Sequence, residues 1–283
     1  PTNISTNTVD VALGASGLDS TIGSLRFSGT TTRNITFTNG TTTGGSEYLN
    51  LALGGLLHSN ENGATNIGTT AARGILTAGG AALSGNTELI AYNAQNTTTI
   101  NSVIVDTFDP LATNAGSATV SFVKSGAGTL ALTANNTYTG GTIVNQGNLR
   151  LNGGVGVVTI PYSSNGVVIN GGVNGSDARI TMEVNGGQIA PTNTVTVNGP
   201  GFLLLAGNNI LAGLNINNNG GTQGALISSY QGDVTPGGAD FGGPLTLNGN
   251  VNVTSSNPGG IARIAGRVDL GGTNRTFNVA STL

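Results

Sequence analysis

The chain has 283 residues, of which only 7% are charged and 4% aromatic, and its formal net charge is −3. An ordinary soluble domain is about 25% charged. The apolar fraction of 37% still suffices for a core, which excludes a disordered chain. The absence of cysteine excludes disulfides and thiol chemistry and suits a protein secreted through an oxidising compartment. The nine Lys and Arg residues are scattered, which excludes a basic nucleic-acid interface.

Short segments that alternate apolar and polar residues follow one another along the whole chain. They lie at 24–30, 33–40, 128–133, 148–154, 193–201, 244–254 and 275–280, separated by turns rich in Asn and Gly. The only helix-favouring stretch, 70–83, is interrupted by two glycines, and no apolar run approaches the roughly 18–20 residues of a membrane helix. Each segment therefore predicts a strand with one buried face and one solvent-exposed face. We expect Leu130 and Leu132 on the buried side of theirs, with Thr129, Ala131 and Thr133 opposite.

Strand starts about every ten residues are compatible with a sandwich, a barrel or a coiled solenoid. A solenoid is favoured because hairpin partners are not obvious and similar strand–turn units continue over the whole length. The polar faces also carry Thr and Asn, which can stack on neighbouring coils without the repulsion of like charges. The sequence thus predicts an all-β parallel β-helix over residues 1–283, one elongated domain with coils of about 20–25 residues. A sandwich stays open as the alternative.

The segment 124–154, "KSGAGTLALTANNTYTGGTIVNQGNLRLNGG", predicts strands at 129–133, 142–145 and 148–152 with polar corners between them. It resembles the autotransporter-associated β-strand repeat, a passenger-associated transport repeat. Two positions depart from the repeat, with Ala134 in place of Gly and Asn148 in place of Thr. The positions that carry the resemblance are Lys124, Gly126, Gly128, Thr129, Leu130, Leu132, Asn136, Thr137, Tyr138, Thr139, Gly140, Thr142, Val144, Gly147, Leu149 and Leu151.

This resemblance implies a right-handed parallel β-helix in the secreted passenger of a bacterial surface protein, hence an extracellular location. Such passengers are stalks or adhesins that a C-terminal barrel translocates across the outer membrane. The chain starts at Pro1 and stops within a strand-like segment. We therefore expect it to be a fragment or processed part of a longer chain.

Candidate active-site residues are few. Asp106 and Asp109 are the only acids close together, and they are either a carboxylate pair or, as we expect, part of a turn. His58 is the only histidine, which argues against zinc sites and a Ser-His-Asp triad, and we expect it in a solvated loop. Asp177 lies in a single segment faintly similar to a calcium-binding glycine repeat, but we expect a surface turn there. Tyr162 and Tyr230 lie in loop-like segments and are candidates to line a sugar-binding groove, but we expect most aromatic residues to plug the ends or corners of coils.

The sequence therefore predicts no catalytic residue, no metal site and no cofactor, and favours a structural protein that forms a stalk, fibre or surface coat. Three alternatives stay open: an adhesin that binds a host or glycan surface, a filament subunit that associates end to end or laterally, and a β-helix enzyme acting on polysaccharide. Neither nucleic acid nor a membrane span is expected.

Overall fold

A computed structural model describes residues 2–4, 11–13, 20–38, 41, 47–59, 63–107, 118–172, 178–220, 223–229, 242–256 and 259–281. Strands and turns account for all of their regular structure, and none of these residues is in a helix long and apolar enough to cross a membrane. The strands are β1 (Thr2–Ile4), β2 (Val11–Leu13), β3 (Ser20–Phe27), β4 (Arg33–Phe37), β5 (Tyr48–His58), β6 (Thr65–Ile67), β7 (Ile75–Ala78), β8 (Asn86–Asn93), β9 (Thr97–Ile100), β10 (Val103–Ile104), β11 (Thr119–Ser125), β12 (Thr129–Leu132), β13 (Thr142–Val144), β14 (Gly147–Leu151), β15 (Val167–Asn170), β16 (Ala178–Met182), β17 (Thr194–Asn198), β18 (Phe202–Leu204), β19 (Asn209–Leu211), β20 (Gly213–Asn218), β21 (Leu226–Ser228), β22 (Leu245–Leu247), β23 (Val251–Ser255), β24 (Arg263–Ala265), β25 (Val268–Asp269) and β26 (Phe277–Ser281).

The chain forms two compact units, Pro1–Gly141 and Thr142–Leu283. In the first unit, one sheet has the order β1-β3-β5-β8-β11 and another the order β2-β4-β6-β9-β12. Strand β5 is split between two neighbours, since its first half pairs with β7 and its second half with β8. All these pairings are parallel, and each joins strands from successive coils.

The second unit is built in the same way. Its three sheets have the orders β13-β15-β17-β20-β23-β26, β14-β16-β18-β21-β24 and β19-β22-β25, all with parallel neighbours. Hairpin pairing is absent from the described strands of both units, so the prediction of a parallel β-solenoid is confirmed. Right-handedness and the continuity of one solenoid over 1–283 stay predictions.

Aliphatic columns fill the interior of each unit because inward positions stack in register from coil to coil. In the second unit one column runs Val144, Ile169, Val197, Ile216 and Val253. The first four of these side chains are buried. Their β-branched shape favours the extended backbone, and their removal from water is the main stabilising contribution.

The coils are less regular than the sequence predicts. Thr194 pairs with Gly213, 19 residues later, whereas Leu214 pairs with Val251, 37 residues later. The expected coil of about 20–25 residues is therefore wrong for many coils. The excess residues lie in the connections between strands, where loop closure costs little more as length grows.

The predicted solvent-exposed face is also wrong for β12. Leu130 and Leu132 are buried as expected, but Ala131 and Thr133 on the other face are buried too. Arg73 reaches this face and donates a hydrogen bond from Nη1 to Thr133 Oγ1 at 3.0 Å. The alternation of apolar and polar residues predicts only that the two faces of a strand differ. It does not predict that a side chain from a distant part of the sequence covers the polar face.

Candidate functional site

Lys124, the first residue of the predicted repeat, points into the core of the first unit. It pairs with Ala91 of β8, and its side chain is 0% exposed. The ammonium group donates hydrogen bonds from Nζ to Ser125 O at 2.8 Å and to Gly126 O at 2.6 Å. Burial lowers the pKa of Lys124 to about 7 because the charged form loses its hydration. The long side chain therefore ties the corner after β11 to the core.

Two repeat glycines allow this corner to approach the coil before it. Gly126 has a φ of +77°, and a Cβ on it would lie 2.2 Å from Asn93 O. A Cβ on Gly128 would lie 2.6 Å from Asn93 Oδ1. Asn93 is buried and donates from Nδ2 to Thr129 O at 2.6 Å. Glycine is required at both positions because a backbone or buried amide oxygen occupies the space of a side chain.

The corner at 134–141 is fixed by the next motif residues. Asn136 accepts a hydrogen bond at Oδ1 from Ile104 N at 2.8 Å, which satisfies a buried backbone amide. Tyr138 is fully buried against Phe122, with ring centroids 6.0 Å apart and an interplanar angle of 42°. Such a tilted aromatic pair adds to the stabilisation from area burial. Asn136 and Tyr138 thus hold the corner against β10 and β11.

The carboxylate of Asp106 is hydrogen-bonded to this corner and to β11. Its Oδ1 accepts hydrogen bonds from Val120 N and Thr139 N, both at 2.8 Å, and its Oδ2 accepts from Thr139 Oγ1 at 2.7 Å. The next residue after Thr139, Gly140, donates a hydrogen bond from its backbone N–H to Val120 O at 3.0 Å. The carboxylate therefore ties the corner to β11. Asp109, its suggested partner, lies outside the described residues.

The expectation that His58 lies in a solvated loop is wrong. His58 is the last residue of β5, is 3% exposed, and places Nδ1 2.9 Å from Thr98 Oγ1. It pairs with Phe27 of β3 and Asn93 of β8, so it occupies an inward position of the stack. The alternation Leu56–His58 carried this signal, but the neighbouring Ser-Asn-Glu-Asn run favoured a loop. No group of three His, Cys, Asp or Glu suited to a metal ion occurs among the described residues.

The later motif residues lie in the second unit and form its first strands. Leu149 of β14 pairs with Ile180 of β16, and Val144 of β13 pairs with Ile169 of β15. The motif residues of this unit are all buried, and they are Thr142, Val144, Gly147, Leu149 and Leu151. In the first unit, Thr137 and Thr139 are exposed. The repeat consequently supplies core residues and coil corners rather than a reactive site.

This arrangement defines parallel β-solenoid units in which the described motif residues form core positions and coil corners. Residues 122–151 match the family model described as passenger-associated transport repeat. The match confirms the resemblance found at 124–154 and covers about a tenth of the chain. No curated protein and no solved structure matches the chain.

Asparagine ladders cover the outer face of the largest sheet of the second unit. Asn170 donates to Asn145 Oδ1 at 2.8 Å, Asn198 donates to Asn170 Oδ1 at 2.7 Å, and Asn217 donates to Asn198 Oδ1 at 2.7 Å. A second ladder beside it joins Asn215, Asn252 and Asn278. Asn170, Asn198 and Asn252 each donate to one neighbour and accept from the other, so stacking satisfies the amide groups of these side chains.

Two open grooves occur on the described surface. One, of about 560 Å³, lies in the first unit beside an irregularity in β5, where Leu53, Glu88 and Ile90 contribute to its lining. The other, of about 290 Å³, lies in the second unit and is bordered by Tyr162, Thr194 and other uncharged polar residues. Tyr162, one of the two candidates for a groove, borders this second groove and is exposed. Tyr230 and Asp177, the other suggested residues, lie outside the described part of the chain.

Proposed function

We propose that the chain is a structural segment of a secreted bacterial passenger, located at the cell surface and acting as a stiff stalk, fibre or coat. The observation that carries this proposal is the parallel stacking of strands in each unit, with aliphatic columns inside and, in the second unit, neutral amide ladders outside. Every inner strand of such a stack is hydrogen-bonded to the coils before and after it. The matched repeat is a transport-associated repeat of passengers and not a family of enzymes.

The composition supports the same role. Neighbouring coils lie about 4.8 Å apart, so a column of like charges would destabilise the stack. The amide and hydroxyl ladders avoid that repulsion and leave few charged or reactive groups on the outer face. We expect a chain of this kind to resist proteolysis and to lack catalytic activity.

Shape and location test the proposal separately. Small-angle X-ray scattering of the purified chain should give the profile of an elongated particle, and a compact sphere would contradict the stalk. For location, an epitope is inserted at Val155, which is 89% exposed in a turn. Antibody should label intact cells of the source organism, whereas labelling only after permeabilisation would contradict the surface assignment.

A further inference from the structure

The polar groove of the second unit is built around one presented aromatic ring. Tyr162 is 55% exposed, yet the backbone on either side of it is fixed by the fully buried side chain of Asn193. Asn193 donates from Nδ2 to Pro161 O at 2.8 Å and accepts at Oδ1 from Ser163 N at 3.0 Å. The backbone that carries the ring is therefore fixed by folding itself, and a ligand would not have to order the loop.

The loop after Tyr162 is fixed by its own hydrogen bonds. Asn165 N donates to Ser163 Oγ at 3.1 Å, and Gly166 N donates to Ser163 O at 3.0 Å. Ser164 and Asn165 stay exposed and border the groove. The loop thus forms one wall of defined shape that carries a hydroxyl and an amide.

The floor of the groove consists of outward side chains from two adjacent strands. Thr194 and Thr196 of β17 lie next to Asn215 of β20, whose Nδ2 is 3.4 Å from Thr196 Oγ1. Thr194 pairs with Gly213, so the next coil has no side chain beside it, and Thr194 is exposed at the groove. Hydroxyl and amide groups that both donate and accept hydrogen bonds therefore line the floor.

We propose that this groove binds a neutral carbohydrate, with Tyr162 stacked on the apolar face of a sugar ring and Thr194, Asn165 and Asn215 bonded to its hydroxyls. The lining residues carry no charge, so an anionic sugar would lose hydration without gaining a counter-charge. Pockets for small ligands have volumes of about 300–1,000 Å³. At about 290 Å³ the groove lies at the lower limit of this range, so it suits a small ligand of one or two sugar units. This inference goes beyond the structural role and does not depend on it.

The test is a glycan array probed with the purified chain displayed in many copies on beads, because multivalent display makes weak single sites measurable. Hits are then titrated by NMR with the free mono- or disaccharide. We expect binding to neutral glycans, a loss of about tenfold in affinity for Tyr162→Ala, and a loss of about fivefold for Thr194→Val. Tyr92→Ala is the matched control, because Tyr92 is 46% exposed on β8 of the other unit.

Four outcomes would overturn the inference: no neutral glycan binds, only anionic glycans bind, Tyr162→Ala binds as well as the unmodified chain, or Tyr92→Ala loses as much affinity. Each variant is also unfolded thermally, and an unchanged midpoint shows that lost binding is not lost folding. If Tyr162→Ala were to unfold, Thr194→Val alone would decide the result. An elongated, surface-located chain that binds no glycan would overturn this inference and leave the structural role intact.

Discussion

At the scale of single residues, Lys124 has the least expected environment. Its place in the motif was predictable from the sequence, but a lysine within an otherwise aliphatic column was not. The column contains Leu25, Leu56 and Ala91 in register with it. Sequence patterns assign lysine to the surface, and only the small size of Ala91 and the nearby carbonyl oxygens explain how this one is accommodated.

The lowered pKa of Lys124 makes stability depend on pH. The unfolded lysine has a pKa near 10.4, and the folded one near 7. Below pH 7 both states bind the proton, whereas between about pH 7 and 10 only the unfolded state does, so the free energy of unfolding should rise with pH. We expect a rise on the order of 2–4 kcal/mol across this interval.

Chemical denaturation at pH 6, 8 and 10 measures this rise. Lys124→Met keeps the length of the side chain without a titrating group and serves as the reference for all other ionisable residues. The unmodified chain should gain stability over Lys124→Met as pH increases. Parallel pH profiles for the two proteins would contradict the assignment.

Gly126 tests the close approach of coils at the repeat corner. Gly126→Ala puts a side chain on a residue with positive φ and places its Cβ 2.2 Å from Asn93 O. We expect the free energy of unfolding to fall by about 3 kcal/mol or more. Gly156→Ala is the matched control, since Gly156 has a φ of +74° but no atom within 4 Å of the added Cβ. It should lose only about 1–2 kcal/mol. If urea denaturation showed the same loss of unfolding free energy for both variants, the close approach of Gly126 to Asn93 would not contribute to stability.

At the scale of elements, alternation predicted strands well but not their surroundings. The segment at 128–133 contains β12 and the segment at 148–154 overlaps β14, and their Leu residues are buried as predicted. The burial of Thr133 beneath Arg73 was missed because the two residues are 60 positions apart. His58 was misassigned for a similar reason, since its partner Thr98 comes from another coil.

The asparagine ladders explain the low charge of the outer face. Replacing both Asn198 and Asn217 by Asp places two carboxylates on adjacent coils, about 4.8 Å apart. We expect the free energy of unfolding to fall by about 1–3 kcal/mol at neutral pH. The loss should diminish in high salt, which screens the two charges, and near pH 3, where the carboxylates take up protons. Thermal unfolding of Asn198→Asp/Asn217→Lys is the control, because opposite charges should recover part of the loss. A double Asp variant as stable as the parent would remove this explanation.

At the scale of the whole molecule, the solenoid class was predictable and the pairing of particular strands was not. Many segments share the same alternation, so composition does not choose between partners. Paired residues on neighbouring coils are between 19 and 37 positions apart in the sequence. This separation depends on the length of the connections between strands, and a variable connection length leaves no periodic signal in the sequence. Tyr162 was a candidate for a groove from its loop position, but Thr194, Thr196 and Asn215, which complete the groove, were missed for the same reason, because they come from other coils.

In the coil that contains β24 to β26, described apolar side chains in register with the aliphatic columns are exposed. Val279 pairs with Val253 of β23 and is 73% exposed, and Phe277 beside it is exposed as well. We propose that a second copy covers this surface in concentrated solution, which would give end-to-end association. Sedimentation velocity should show association that rises with concentration and is reduced by Val279→Asp.

Val184→Asp is the control for this association, because Val184 is 75% exposed outside the columns. Association that both variants weaken equally would indicate general solubility and not a specific contact. A chain that stays monomeric at every concentration would contradict the proposal.

The central claim is that successive coils lie side by side in parallel register, and introduced cysteine pairs test it most directly because the chain has none of its own. Asn170→Cys/Asn198→Cys joins register partners, whose Cα atoms, about 4.8 Å apart, suit a disulfide. Asn170→Cys/Asn217→Cys spans two coils, about 9.6 Å, which is too far. Mass spectrometry after mild oxidation should find a cross-link in the first pair and none in the second. Cross-linking of the second pair in preference to the first would contradict the parallel stack.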